Sequence, residues 1–318
     1  MKNIKDKMTG GVIVPIVSPV DENENIDEKA LRVLIQHCIS AGVDGVFAGG
    51  SAGMGPLLSD FTWQRLMEIV ADEVDGKINI LGGIITTSTA KAIKKIKIIE
   101  QLRFDAMVVT PTFYIAIHSE KEMMAHFNAC RQATAMQMVA YNIPGCTGSV
   151  VPAEVIEKLA TEKSISLVKE SSGDSDYFKK ILQICKKHDV GLMQGNEIDF
   201  DWGLLSGAAG IVPVCANYDP ALFVRMYRAG VEQNPEKASA LQKEISQLRL
   251  NLGAHKKNWI SGIMYGMKTL GIGSGVPLMP LQQLSNTEKV IIDGLSIQQS
   301  RVIEVPANMK NKSYDAMK

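Results

Sequence analysis

The chain contains three residues suited to chemistry on a ketone, namely Lys169, Tyr141 and Ser51. Lys169 ends the apolar run "ISLVK", and a lysine amine attacks a ketone when it is neutral, a state that burial favours by lowering its pKa from about 10.4. The product would be a Schiff base, whose protonated imine withdraws electrons so that a neighbouring C–C bond breaks or forms without a metal. Lys169 is therefore a candidate nucleophile. The alternative from the residue alone is a solvated or ion-paired lysine at a strand end.

Tyr141 and the segment "GGSAGMG" provide the other groups that such chemistry needs. The Tyr141 hydroxyl can pass a proton to or from a substrate oxygen, although a tyrosine that packs its ring at a rim is the alternative. Ser51 and the nearby backbone N–H groups, where Gly50 and Gly53 let the chain come close, form a predicted cradle for a carboxylate, with an ordinary Gly-rich β-α turn as the alternative. The segment matches neither G-x-G-x-x-G nor G-K-[ST], which argues against a dinucleotide or a nucleoside triphosphate.

The order of the elements predicts a scaffold that brings these strand ends together. Short apolar runs alternate with amphipathic stretches from near the start to about Val214, as expected for β-α units around a parallel sheet. Asp27 and Ser59 mark the starts of the first two helices. About eight such units favour a (β/α)8 TIM barrel of the α/β class over a doubly wound sheet of about five or six strands. The active site of such a barrel lies at the carboxyl ends of its strands.

The sequence predicts three parts. No low-complexity linker or internal repeat indicates a further domain. Residues 1–225 are predicted to form the barrel and residues 226–304 additional C-terminal helices packed on it, with "GIGSGVPLMP" between two of them. Residues 305–318 form a predicted polar tail.

Composition narrows the functional class. The 318 residues include 34 basic and 34 acidic side chains, so charge gives no reason to expect nucleic acid or an anionic membrane surface as a partner. The start, "MKNIKDKMTG", is too polar for a signal peptide, and no apolar run approaches the roughly 18 residues of a membrane span. The five cysteines are scattered without a C-x-x-C pair, which predicts a cytoplasmic protein with neither a disulfide framework nor a metal site.

Four segments together resemble one enzyme family. "GSAG" after strand two, "TPTFY" after strand four, "YNIPGCTG" after strand five and "VKESSGD" after strand six resemble, in order and spacing, the dihydrodipicolinate synthase and N-acetylneuraminate lyase family. The resemblance implies a class I aldolase without a metal or organic cofactor, assembled as a homotetramer from two dimers. It implies that Lys169 forms the Schiff base, Tyr141 is the catalytic tyrosine, and Ser51 binds the keto-acid carboxylate and relays protons.

The predicted substrate-binding set extends beyond these three residues. The resemblance implies a backbone contact at Val212 and a place for Tyr114 in the proton relay. The segment "GNEIDFDWG" after strand seven supplies Gly195 and Glu197 near the rim, where polar groups would bind a polyhydroxylated substrate unless they are solvated. The full predicted set is Gly50, Ser51, Ala52, Tyr114, Gly195, Glu197 and Val212.

Four departures from the family pattern bear on the substrate. Ala52 stands where the family usually has a second hydroxyl residue, Met54 where it has a glutamate, and Phe113 where the synthase branch has a tyrosine that neighbouring subunits exchange. Cys146 replaces an arginine that grips a carboxylate in the synthase branch. These changes favour a pyruvate-dependent aldolase or lyase acting on another 2-keto acid, such as a 2-keto-3-deoxy sugar acid or a sialic-acid-like compound.

Two other functions stay open. The first is dihydrodipicolinate synthase itself, which condenses pyruvate with the aldehyde aspartate semialdehyde. The second is a non-catalytic barrel that binds a keto acid without turning it over.

Overall fold

Eight parallel strands form a closed barrel in the computed structural model, which describes residues 8–115, 117, 119–254, 256 and 258–298. Each strand pairs with the next, and the last pairs with the first. The predicted (β/α)8 barrel is therefore confirmed. The strands are β1 (Gly11–Pro15), β2 (Gly45–Ala48), β3 (Asn79–Ile84), β4 (Ala106–Val109), β5 (Gln137–Asn142), β6 (Leu167–Glu170), β7 (Gly191–Gln194) and β8 (Gly210–Ile211).

Helices follow the strands and cover the outside of the barrel. The predicted caps are confirmed, since the side chain of Asp27 accepts a hydrogen bond from Ala30 N and that of Ser59 from Thr62 N. The helices as far as the one after β8 are α1 (Glu28–Ser40), α2 (Asp60–Val74), α3 (Thr89–Gln101), α4 (Glu120–Gln132), α5 (Pro144–Thr147), α6 (Ala153–Thr161), α7 (Ser175–His188), α8 (Phe200–Leu205) and α9 (Pro220–Val231). A short 3-10 helix, Cys215–Asn217, lies between β8 and α9.

Alternation along the strands separates the barrel interior from the layer under the helices. In β6, Leu167 belongs to the apolar cluster inside the barrel, whereas Val168 belongs to the larger cluster between barrel and helices. Because side chains alternate with a period of two, Lys169 points inward with Leu167, and Glu170 points outward. The strand thus directs the lysine into the barrel.

Three further helices follow the barrel, as the sequence predicted. They are α10 (Pro235–Asn251), α11 (Trp259–Thr269) and α12 (Asn286–Gln298). Helix α10 packs against α8 and α9. The predicted division at 225/226 falls inside α9, and the tail at 305–318 lies outside the described residues. Among the helices that the structure describes, none is long and apolar enough to cross a membrane.

Candidate active site

Lys169 lies at the carboxyl end of β6, next to Tyr141 on the neighbouring strand. The two residues are partners in the register of β5 and β6. The Nζ atom of Lys169 is 4.0 Å from the centre of the Tyr141 ring and 5.0 Å from the centre of the Phe47 ring. Lys169 is 6% exposed, so its amine lies inside the barrel mouth and not on the surface.

A small apolar cavity of about 10 Å³ adjoins Lys169. A space of this size is close to the lower limit for one water molecule, which would also need two to four polar partners. Lys169 is the single polar residue in its lining, so we infer that the cavity is dry. Each strand, or the residue just after it, contributes an apolar side chain to the wall, namely Ile13, Phe47, Leu81, Val108, Val139, Leu167, Met193 and Val212.

These surroundings favour the neutral form of the Lys169 amine near neutral pH. Burial lowers the pKa of its amine to about 7, and the nearby Cys146 acts in the opposite direction. A substantial fraction of the amine is therefore neutral at pH 7 and available to attack a carbonyl carbon.

The phenol of Tyr141 is buried beside the hydroxyls of Ser171 and Ser51. Its ring meets Phe47 edge to face at a centroid distance of 6.4 Å. Burial raises the pKa of Tyr141, and interactions with Ser171 and Ser51 act against that rise. The phenol therefore keeps its proton at neutral pH, and it can exchange that proton with a substrate oxygen when a neighbouring hydroxyl completes the relay.

Ser51 links Tyr141 to Cys146, which stands at the mouth of the site. The Cys146 thiol interacts with Ser51 and, electrostatically, with Lys169. Although the residue as a whole is exposed, partial burial of the thiol raises its pKa, and both neighbours act against that rise. The other four cysteines are buried. The structure thus brings together the three predicted catalytic residues and adds a thiol.

Ser171 is the residue of this cluster that the sequence reasoning did not single out. It follows Lys169 by two positions, so the same alternation that turns Lys169 inward also predicts an inward Ser171. Its Oγ lies so close to Gly195 that a Cβ at position 195 would be 2.0 Å away. A glycine at 195 is therefore required for Ser171 to reach Tyr141, which gives the predicted residue Gly195 a steric role.

Buried polar groups on the outer side fix the ends of β5 and β6. Asn142 Nδ2 donates to Glu170 Oε2 at 3.1 Å, while Asn142 Oδ1 accepts from Val151 N at 2.9 Å. Glu170 also accepts from Ser172 N at 2.7 Å. Tyr141 and Lys169 each adjoin one of these anchored residues, so their backbone positions are set from behind the sheet.

The loop after β2 holds Ser51 against the barrel. A Cβ at Gly50 would lie 2.6 Å from Phe47 Cε1, so the glycine allows the loop to lie directly on the aromatic ring below. Ala52 is 4% exposed. Met54 is also buried, and its Sδ accepts a hydrogen bond from Leu278 N at 3.4 Å, so this residue contacts the C-terminal part of the chain.

The remaining predicted residues divide into those at the pocket and those away from it. Val212 lines the cavity beside Lys169, and Phe113 packs against the same inner cluster. Tyr114 is 92% exposed, so the structure does not bring it to the pocket of its own chain.

Glu197 does not lie at the rim, where the sequence placed it. It is 5% exposed, and its carboxylate accepts hydrogen bonds from Cys215 N at 2.8 Å and from Arg249 Nε at 3.2 Å. A carboxylate with these partners is turned away from a substrate, because both of its oxygens are already engaged.

The site as a whole suits covalent chemistry on a 2-keto acid. The buried amine of Lys169, the phenol of Tyr141 and the hydroxyl of Ser51 lie together at one mouth. No group of three or more potential metal ligands occurs among the residues that the structure describes.

Comparisons with known proteins identify the family. The model of the dihydrodipicolinate synthetase family matches residues 8–294. A 4-hydroxy-tetrahydrodipicolinate synthase of Methanopyrus kandleri is 30% identical over 284 residues, which cover 89% of this chain and 93% of that protein. An N-acetylneuraminate lyase of Salmonella paratyphi B is 31% identical over 244 residues, which cover 76% of this chain and 81% of that protein. The fold also matches a dihydrodipicolinate synthase structure from Thermotoga maritima, with a TM-score of 0.86, 24% identity, and coverage of 92% and 99% of the two chains.

The chain belongs to the dihydrodipicolinate synthetase family. The members of this family are lyases that work as Schiff-base class I aldolases. The predicted family, fold and enzyme class are thereby confirmed.

Proposed function

We propose that this protein forms a Schiff base between Lys169 and pyruvate, and makes or breaks a C–C bond between the pyruvate carbon and an aldehyde. The observation that carries this proposal is the buried amine of Lys169, with a pKa of about 7, beside the phenol of Tyr141. The amine attacks the ketone carbon of the keto acid, water leaves, and a protonated imine remains.

The keto acid has a natural orientation in this pocket. Its carboxylate faces Ser51 and the backbone amides around Gly50 and Ala52, and its methyl group faces the apolar wall near Val212. Ser51 also lies beside the phenol of Tyr141, so carboxylate binding and proton relay share one hydroxyl.

The second half of the reaction depends on Tyr141. In the cleavage direction, Tyr141 takes the proton from the substrate's distal hydroxyl while passing its own proton to a neighbouring hydroxyl, because its raised pKa keeps it protonated at rest. The C–C bond breaks, the aldehyde leaves, and the enamine of pyruvate takes up a proton before water hydrolyses the imine. In the synthesis direction the same groups act in reverse order.

We propose a 2-keto-3-deoxy sugar acid or a sialic-acid-like compound as the substrate of cleavage. Cys146 offers no cation for a second carboxylate, which favours this choice over the synthase reaction. The alternative is condensation of pyruvate with aspartate semialdehyde, and the similarity to the Methanopyrus kandleri synthase favours it.

A cytoplasmic homotetramer built from two dimers is part of the proposal. Tyr114 and Ile115 are 92% and 80% exposed, and they follow β4 close to the mouth of the barrel. An exposed apolar pair at this place suits burial against a neighbouring subunit.

Reduction with borohydride in the presence of pyruvate tests the proposed function. We expect a pyruvate-sized adduct on Lys169 in the intact mass and the peptide map, and none in the variant Lys169→Ala. Lys95 is a matched control, because burial also lowers its pKa, to about 8, but it lies over the Trp63 ring outside the barrel. An adduct that persists in Lys169→Ala would lie on another amine and overturn the proposal, and its loss in Lys95→Ala would identify Lys95 as that amine.

A panel of aldehydes then identifies the partner. Wild-type protein with pyruvate is incubated with aspartate semialdehyde, glyceraldehyde or N-acetylmannosamine, and pyruvate consumption is followed. Turnover with a sugar aldehyde supports the preferred substrate, and turnover with aspartate semialdehyde alone supports the synthase. An adduct without turnover of any aldehyde would favour a keto-acid-binding protein.

A further inference from the structure

Glu197 connects the loop after β7 to two other parts of the molecule. Its Oε1 accepts from Cys215 N at 2.8 Å, while its Oε2 accepts from Cys215 Sγ and Arg249 Nε, both at 3.2 Å. The backbone carbonyl of Glu197 accepts from Gln242 Nε2 at 2.8 Å. Both the side chain and the backbone of this residue are therefore engaged.

The segment that Glu197 holds begins at the wall of the catalytic pocket. Val212 follows β8 and lines the cavity beside Lys169, and Cys215 lies three residues further on. Asn217 fixes the far end of this segment, since its Oδ1 accepts from Val17 N at 3.0 Å and its Nδ2 donates to Pro15 O at 3.0 Å. Glu197 thus supplies a second anchor, between Val212 and Asn217.

The charge of Glu197 is compensated from outside the barrel. Arg249 and Gln242 both belong to α10, and the side chains of Arg249 and Glu197 are 17% and 5% exposed. A buried carboxylate without a partner would be costly, whereas this one has a guanidinium and a backbone N–H. Helix α10 therefore contributes directly to the position of the loops at the mouth.

We propose that Glu197 is a positioning residue for the keto-acid half of the site: it fixes the Val212–Asn217 segment through Cys215 N–H, with Arg249 of α10 as its counter-ion. This inference rests on the proposed function, because it requires a keto acid bound beside Val212. It assigns α10 a role in pyruvate binding, although no residue of α10 lines the pocket beside Lys169.

The test separates binding of pyruvate from chemistry and from the aldehyde. In D2O, formation of the enamine exchanges the methyl protons of pyruvate for deuterium, which NMR follows without any aldehyde. The dependence of this exchange on pyruvate concentration gives a half-saturation concentration and a limiting rate. The variants are Glu197→Ala, which removes every side-chain bond, and Glu197→Gln, which keeps the volume and an acceptor for Cys215 N–H.

We expect Glu197→Ala to raise the half-saturation concentration about tenfold and to lower the limiting rate much less, because the wall moves while Lys169 and Tyr141 stay in place. Glu197→Gln should give a smaller rise in the same direction, and it keeps the test open if the alanine variant does not fold. The matched control is Glu244→Gln on the same helix α10, where Glu244 pairs with Arg225 and both side chains are about half exposed. This control should leave both parameters unchanged.

Two outcomes would overturn the inference. If the variants alter the dependence on the aldehyde that wild type uses, and not the dependence on pyruvate, Glu197 contacts the aldehyde. If they lower the melting temperature alone, the network serves only stability. A wild-type protein that neither forms the Lys169 adduct nor exchanges pyruvate would instead refute the proposed function, and the inference with it.

Discussion

Lys169 lies at the carboxyl end of β6 and Glu197 in the loop that follows the neighbouring strand β7, and both are less than a tenth exposed. Lys169 has aromatic rings and aliphatic side chains around its amine. Glu197 has a guanidinium, a thiol and a backbone N–H around its carboxylate.

The difference explains why we propose different roles for these two buried ionisable groups. Burial lowers the pKa of Lys169 toward neutrality because the charged form lacks compensation, which makes the amine reactive. Burial also raises the pKa of Glu197, but the bonds from Cys215 and Arg249 act against that rise and favour a charged carboxylate that stays fixed. Reactivity and positioning thus follow from the partners of each group and not from its depth.

Replacing Lys169 by methionine should have the largest effect on activity and the opposite effect on stability. The adduct with pyruvate should disappear entirely. Between pH 7 and 10.5 the unfolded lysine holds a proton that the folded one releases, so this residue disfavours folding, and its removal should raise the free energy of unfolding by about a few kcal/mol at pH 7.5. Borohydride trapping and urea denaturation measure the two effects. A variant less stable than wild type would contradict the expectation that the Lys169 amine disfavours folding.

The variant Tyr141→Phe tests the proposed role of the Tyr141 hydroxyl in proton transfer beside Lys169. Loss of the hydroxyl should slow aldehyde turnover by about two to four powers of ten, because proton transfer to the substrate oxygen is lost. The Lys169 adduct should still form, since the amine keeps its apolar surroundings. Steady-state rates with the aldehyde from the panel provide the measurement, and unchanged turnover would remove Tyr141 from the mechanism.

The variant Arg249→Met tests whether Arg249 compensates the charge of Glu197. Glu197 would lose its counter-ion inside the protein, and the free energy of unfolding should fall by about 3–5 kcal/mol. Arg225→Met is the matched control, because it breaks an exposed pair with Glu244 worth about 0–1 kcal/mol. Chemical denaturation of both variants measures the difference, and equal losses would mean that Glu197 does not depend on Arg249.

The pH dependence of adduct formation gives the smallest effect and the most direct measure of the Lys169 surroundings. At a fixed pyruvate concentration, the rate of imine formation should rise about tenfold per pH unit below 7 and level off above it, because the neutral amine is the nucleophile. Rapid trapping with cyanoborohydride between about pH 5 and about pH 9 can record this profile. A midpoint near the ordinary lysine pKa of about 10.4 would mean that the charged amine of Lys169 is stabilised, and it would contradict the lowered pKa.

The sequence was sufficient for the parts of the fold that depend on local pattern. The β-α alternation, the caps at Asp27 and Ser59, and the inward direction of Lys169 all follow from periodicity or from neighbouring residues. The direction of Glu197 depends on Arg249, which is 52 residues away in the chain. No local pattern predicts that pairing, so the sequence placed this carboxylate at the rim.

The contacts of Ser171 and Cys146 were beyond the sequence reasoning for a related reason. Ser171 lies on the inward face by alternation, but its position beside Tyr141 depends on the space that Gly195 leaves. Cys146 reaches Ser51 across two loops that follow different strands. Such contacts depend on the closure of the barrel, which brings distant strand ends to one mouth.

The dry cavity beside Lys169 also has a consequence for the kinetic order of the reaction. Its walls are apolar side chains from all around the barrel, and its volume of about 10 Å³ is too small for a keto acid, so a keto acid on Lys169 would lie on the mouth side of the amine. A keto acid bound to Lys169 occupies the inner position, and an aldehyde can then bind only between it and the solvent. For the reaction that we propose, the keto acid should therefore enter before the aldehyde in synthesis, and in cleavage the aldehyde should leave before water reaches the imine and releases pyruvate.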